Sequence, residues 1–100
     1  MSIQSTHRIP HWLLQRELPP GVSLQLLEKD VVVFSHGGKW LHPLLAVEHF
    51  LRETGRDAGT MVLHDRIAGR AAAALGIRLG FRLVKIDLMS RLAQSMYDSY

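Results

Sequence analysis

The chain has 100 residues, 47% of them hydrophobic and 21% charged, with a net charge of +3 and no cysteine. That length suits one domain with a single core, and the missing cysteines exclude disulfide staples, thiolate metal sites and cysteine nucleophiles. The longest apolar runs fall well short of a membrane span, and residues 1–20 lack the charged-then-apolar order of a secretory signal, so the default expectation is a cytoplasmic protein with no membrane partner.

Residues 1–20 read as an N-terminal extension, and residues 21–100 as a single α/β domain. After a polar start, residues 7–18 read as a short helix begun by Pro10, with Trp12, Leu13 and Leu14 apolar. Pro19, Pro20 and Gly21 end it. His7 and His11 are four apart, but Pro10 lies between them and two imidazoles do not close a metal site.

Val22, Leu24 and Leu26 alternate with Ser23 and Gln25, the period of a strand with one solvated face. Glu28, Lys29 and Asp30 form a turn, and residues 31–34 follow as a β-branched run buried on both sides. The pair reads as an antiparallel hairpin whose second strand is the more central. A flexible loop, Ser35-His36-Gly37-Gly38-Lys39, leads to a helix entered at Pro43 and closed by Gly55. Gly-Gly-Lys here lacks the remaining positions of a nucleoside-triphosphate loop.

Residues 60–63 are a short apolar strand. From Ile67 the spacing turns helical, with Ile67, Ala71, Ala74 and Leu75 on one face. Asp65 is placed to cap that helix, Gly69 lies inside it, and Gly76 stops it. Residues 81–86 alternate apolar with basic, which suits a half-exposed strand near a sheet edge, with Arg82 and Lys85 solvated. Residues 87–97 read as the last helix, carrying Leu88, Leu92 and Met96 on one stripe.

A hairpin followed by two right-handed strand-helix-strand crossovers gives a mixed four-stranded sheet in a three-layer α/β/α sandwich. The cytidine-deaminase-like fold has the same order.

Leu41-His42-Pro43-Leu44-Leu45, with His64-Asp65-Arg66-Ile67-Ala68-Gly69-Arg70-Ala71-Ala72-Ala73 further along, resembles the motif pair of the uncharacterised domain-of-unknown-function family 1893 (DUF1893). That family carries Pro-Leu-Leu at the first site and an Asp-Lys-Val-Val-Gly-Lys-Ala-Ala-Ala type segment at the second. The resemblance covers residues 26–97. It implies a cytidine-deaminase-like fold without the zinc site, and hence no cofactor. The N-terminal extension with Trp12 departs from the family, as does an end that precedes the family's last strand. A sheet shortened in this way leaves an edge for another subunit, which points to a homodimer.

The chemistry expected of deaminases is absent from the sequence. No glutamate stands two residues after His42 and no cysteine follows His64, so the ligands that activate a zinc-bound water are missing. What remains is a crevice where two helix starts converge at the ends of parallel strands, lined by Lys39, His42, His64, Asp65, Arg66 and Gly69. Such a crevice suits a small anion, with Arg66 forking onto a phosphate or carboxylate. The plainer reading leaves Asp65 as a cap and the arginines as solvated charges.

Three classes of function stay open: a non-catalytic domain binding a small anionic or nucleotide-like ligand in a regulatory role, a self-association or partner-binding module, and an enzyme using His64 and Asp65 as acid and base. Nucleic-acid binding through Arg66, Arg70, Arg78, Arg82, Lys85 and Arg91 cuts across all three.

Overall fold

In the computed structural model, which describes residues 10–81 and 83–99, the chain runs α1 (His11–Leu14), β1 (Leu24–Glu28), β2 (Val31–His36), α2 (His42–Thr54), β3 (Val62–Ala68), α3 (Arg70–Leu79), β4 (Leu83–Met89) and α4 (Arg91–Asp98). The four strands form one sheet in the order β2-β1-β3-β4. β1 is antiparallel to both its neighbours, whereas β3 and β4 are parallel. The expected α/β class, hairpin and mixed four-stranded sheet are therefore all present.

Both crossovers, β2-α2-β3 and β3-α3-β4, step in the same direction across the sheet. Crossovers of one hand then place their helices on the same face. Leu44, Val47 and Leu51 of α2, Ala72 and Ala73 of α3, and Ala93 and Tyr97 of α4 accordingly share one core with Leu24, Leu26, Leu63, Val84 and Ile86 of the sheet. Side chains alternate along each strand, so Leu27 and Val62 turn to the other face. There they meet Leu83 and, among the described residues, one cover, Leu13 of α1. Among the described residues the third layer of the sandwich is thus one helical turn and the segment that follows it.

Several boundaries differ from expectation, and most differ for a shared reason. The first helix stops at Leu14 instead of Leu18; its expected start, with His7, lies outside the described residues. β1, not β2, is the central member of the hairpin: β1 is buried except at Glu28, whereas Val31 and Val32 of β2 are exposed on the sheet edge. Gln25 looked solvated, but it is buried beneath the segment after α1.

β3 continues through Asp65 to Ala68, so Asp65 caps no helix. Gly69 is the N-cap of α3 and not an interior residue. Gly76 lies inside α3, which runs on to end at Gly80. A Cβ on Gly76 would come within 2.5 Å of Tyr97 Oη, so glycine here allows α3 and α4 to touch. β4 is an edge strand as expected, but Lys85 is buried; Arg82 lies outside the described residues. Asp87 belongs to β4, and α4 starts later, capped by Ser90, whose hydroxyl accepts the Ala93 N–H at 3.1 Å.

Candidate functional site

A cleft of about 840 Å³ opens at the end of the sheet where β3 hands over to α3 and the β2–α2 loop arrives at α2. Residues 20–23 form one wall, residues 37–41 with Pro43 another, and residues 65–67 and 69–72 the floor and far side. Its volume falls in the range of small-molecule sites. The walls are tied together locally. Ser23 Oγ donates to Gly38 O at 2.7 Å, with His36 O at 3.1 Å, and a Cβ on Gly37 would meet Gly21 O at 2.5 Å. Only glycine allows that approach of the two backbones.

Both helix starts do reach the cleft. Neither the α2 N-cap, Leu41, nor the α3 N-cap, Gly69, supplies a side-chain hydrogen bond, and neither helix has an acidic residue in its first turn. The first-turn amides of α3 have no partner within their helix, whereas at α2 the His42 N–H donates to Lys39 O at 3.2 Å and Pro43 has no N–H, so α3 is the end that offers donors, with a dipole that favours an anion. Lys39 and Arg70 add positive charge to the lining.

Four of the six expected site residues, Lys39, Asp65, Arg66 and Gly69, line this cleft. Asp65 is only 7% exposed, with the backbone N–H groups of Ile67 and Arg66 beside its carboxyl and the latter donating to Ser23 O at 2.9 Å. Burial pushes its carboxyl up to about 7, against the opposing effect of those two amides. The same carboxyl contributes, after desolvation, to holding the Tyr97 phenol above its usual range. Arg66 is not a free fork. Its Nε and Nη2 donate to Val22 O at 3.2 and 2.7 Å, and Nη2 also reaches Pro19 O at 3.2 Å, so it fastens the wall instead of facing a ligand.

The other two expected residues lie elsewhere. His42 opens α2 but is exposed and absent from the lining. His64 is fully buried on the opposite face of the sheet. There Gln25, His64 and Lys85 are register partners across β1, β3 and β4, with Ser35 beside Gln25 on β2. Arg16, just past α1, drops its guanidinium onto this row: Nη1 donates to His64 Nδ1 at 2.8 Å and Nη2 donates to Gln25 Oε1. Gln25 Nε2 passes on to Ser35 Oγ at 2.9 Å, and Lys85 Nζ donates to the Arg16 carbonyl. His64 Nε2 lies 2.9 Å from Asp87 Oδ1. His64 and Asp65, adjacent in sequence, therefore cannot act together on one substrate.

Sequence reasoning missed Trp40 as a site residue. It lines the cleft, is 90% exposed, and has φ +60°, a left-handed conformation that is an outlier for so bulky a residue. Such backbone strain costs on the order of 1–3 kcal/mol and clusters at binding loops. The available signal was a large apolar residue in a glycine-rich loop just before a helix. Arg70 was read as a solvated charge, and its place beside Gly69 could have marked it. Among the described residues no group of three or more histidines and carboxylates is placed to hold a metal ion, and no helix is long and apolar enough to cross a membrane.

No family model matches this sequence, and no curated protein matches it either.

Proposed function

We propose that this domain binds a small anionic ligand of nucleotide type in the cleft, in a non-catalytic, regulatory and cytoplasmic role. The observation that carries the proposal is that two helix N-termini without side-chain caps open into one cavity of ligand size, with Lys39 and Arg70 among its lining. The resemblance to the DUF1893 family and to cytidine-deaminase-like folds agrees with a nucleotide-sized occupant. Val22, Leu41, Ile67 and Ala72 would pack the body of the ligand, Trp40 offers a ring face for a planar group, and the first-turn amides of α3 would take the anion.

The test is a thermal-shift panel of nucleotides, nucleosides, inorganic phosphate and sulfate on wild type and on the Lys39→Ala/Arg70→Ala double variant. Both side chains are exposed, so the variant keeps its fold. A ligand at a hundredfold over its dissociation constant stabilises by about 2.7 kcal/mol, which raises the midpoint of a domain this size by roughly 10 °C. The shift is expected to shrink in the double variant. A panel without any shift sinks the proposal.

A second reading is self-association to a homodimer, favoured by one observation: β2 is an open edge that shows Val31 and Val32 to solvent and carries no Lys, Asp or Glu over residues 31–36. Edges of this kind invite a further strand. Sedimentation of wild type beside Val32→Lys decides it, because a dimer held by this edge dissociates in the variant.

A further inference from the structure

A continuous cluster of side-chain hydrogen bonds lies outside the cleft, in the row beneath Arg16. A guanidinium has no acceptor, so Arg16 must donate to His64 Nδ1, and the ring proton must sit on Nε2, facing the Asp87 carboxylate. His64 is thus held neutral and in one tautomer. A second proton can enter only at Nδ1, where it would point at a guanidinium nitrogen 2.8 Å away. The groups facing His64 make this worse. Arg16 approaches from the segment after α1, Lys85 from β4 with its Nζ 3.5 Å from Asp87 Oδ1, and Arg66 lies two residues along β3 on the same face; against them stand the single carboxylate of Asp87 and, from β1, the neutral Gln25.

Four of those groups are built into the sheet. Arg16 alone is not. The segment that carries it is held by few groups: Leu13 on Leu27, Val62 and Leu83, the Arg16 guanidinium on His64 and Gln25, the Arg16 carbonyl on Lys85, and the buried side chain of Leu18 at its end. Immediately beyond it the chain is clamped again, because Arg66 holds the carbonyls of Pro19 and Val22. Withdrawing residues 10–18 therefore relieves the repulsion without disturbing the cleft wall.

We propose that residues 10–18 form a strap seated on this polar row, and that proton uptake at His64 releases it. Burial holds the His64 imidazole below its ordinary range, an effect the Asp87 hydrogen bond and charge oppose and the charges of Lys85 and Arg16 reinforce. With the strap away, His64 regains water and returns towards the ordinary imidazole range. The open form then binds more protons than the closed form, so closure is strongest above that range and weakens as pH falls through it.

The experiment is hydrogen exchange of the full chain from pH 8 to 5.5, corrected for intrinsic rates. The protection of the hydrogen-bonded amides of residues 13–16 is expected to fall by up to about tenfold per pH unit as pH drops through the ordinary imidazole range, the limit for one proton, while amides of β1 and β3 keep theirs. His64→Gln retains a carbonyl for Arg16 and an N–H for Asp87 but cannot charge, and its strap should lose the pH dependence. Should that buried substitution prevent folding, Arg16→Met removes the cation that the proton opposes and should make the profile shallower without abolishing it, because burial under the strap still resists the charge. Asp65→Asn separates the other group that titrates near this pH, and its strap should behave as in wild type. Strap protection in wild type that is independent of pH overturns the proposal, as does a wild-type fall that persists in the variant of His64 or vanishes in that of Asp65.

Discussion

His64 and Asp65 are neighbours on one strand, yet they carry opposite electrostatics because the strand turns them to opposite faces. Asp65 faces the helical layer and the cleft, where burial without a cationic partner favours the protonated, neutral acid. His64 faces the strap, where burial among cations favours the unprotonated, neutral ring. Both faces solve the same problem, a titratable group removed from water, by discarding its charge. The consequences of acid differ in sign. A proton is welcomed on the helical side and resisted on the strap side.

The widest gap between the two faces is one of packing. Leu26 and Leu13 are both fully buried, but Leu26 belongs to the core shared with three helices and Leu13 to a cluster of a few residues under the strap. Leu26→Ala is expected to cost about 3–5 kcal/mol of global stability in urea denaturation. Leu13→Ala should lower the global value far less while removing the exchange protection of amides 13–16. Equal global losses would make the strap an integral part of the core.

Next in size is the pH dependence of Asp65. Its carboxyl stands at about 7 in the folded chain against an ordinary 3.8, so between those values the native state holds a proton that the unfolded state has lost. Stability from this group is fully present below about 4 and falls as pH rises towards 7, by at most about 4 kcal/mol at 1.36 kcal/mol per unit. Asp65→Asn should therefore stabilise the protein at pH 8 by up to a comparable amount and leave it nearly unchanged at pH 4, as read from denaturation midpoints. A destabilised variant at pH 8 would mean that the charge itself is held by a partner in the cleft.

Gly76→Val tests how closely the helical layer is packed. A side chain there collides with Tyr97 Oη, and overpacking of this kind costs about 1–3 kcal/mol. Smallest of all is Lys85→Met on the strap face. Lys85 donates to one carbonyl and lies beside a half-exposed carboxylate, and an apolar replacement of similar length in such a buried polar cluster is often close to neutral. A change within about 1 kcal/mol is expected, together with a weaker strap, since the Arg16 carbonyl loses its donor.

These contrasts also explain what the residues disclosed in advance. The order of elements, the α2 boundaries and the crossover topology follow from apolar spacing and from Gly55 and Pro43, which act locally. The convergence of the two helix starts followed from that topology. The errors gather at Gln25, Asp65, Lys85 and Asp87, polar residues that were read as solvated, as a cap or as part of a helix, and that are in fact strand residues in buried or half-buried clusters. A letter does not reveal whether its polar group faces water or another side chain. Placing β2 at the centre was the same error in reverse, because Val31 and Val32 were taken to demand burial that the sheet does not provide.

The central position of β1 also sets an order of assembly. Its pairing with β2 closes across the two residues Lys29 and Asp30, whereas its pairing with β3 must bring Leu27 and Val62 together across the whole of β2 and α2. Closing the short loop costs far less chain entropy, so the hairpin is expected to form first and to present the free side of β1 as a template. For the interval before β3 docks, both sides of that ribbon are edges, and the rate at which α2 delivers β3 decides whether a strand of the same chain or of another molecule takes the place.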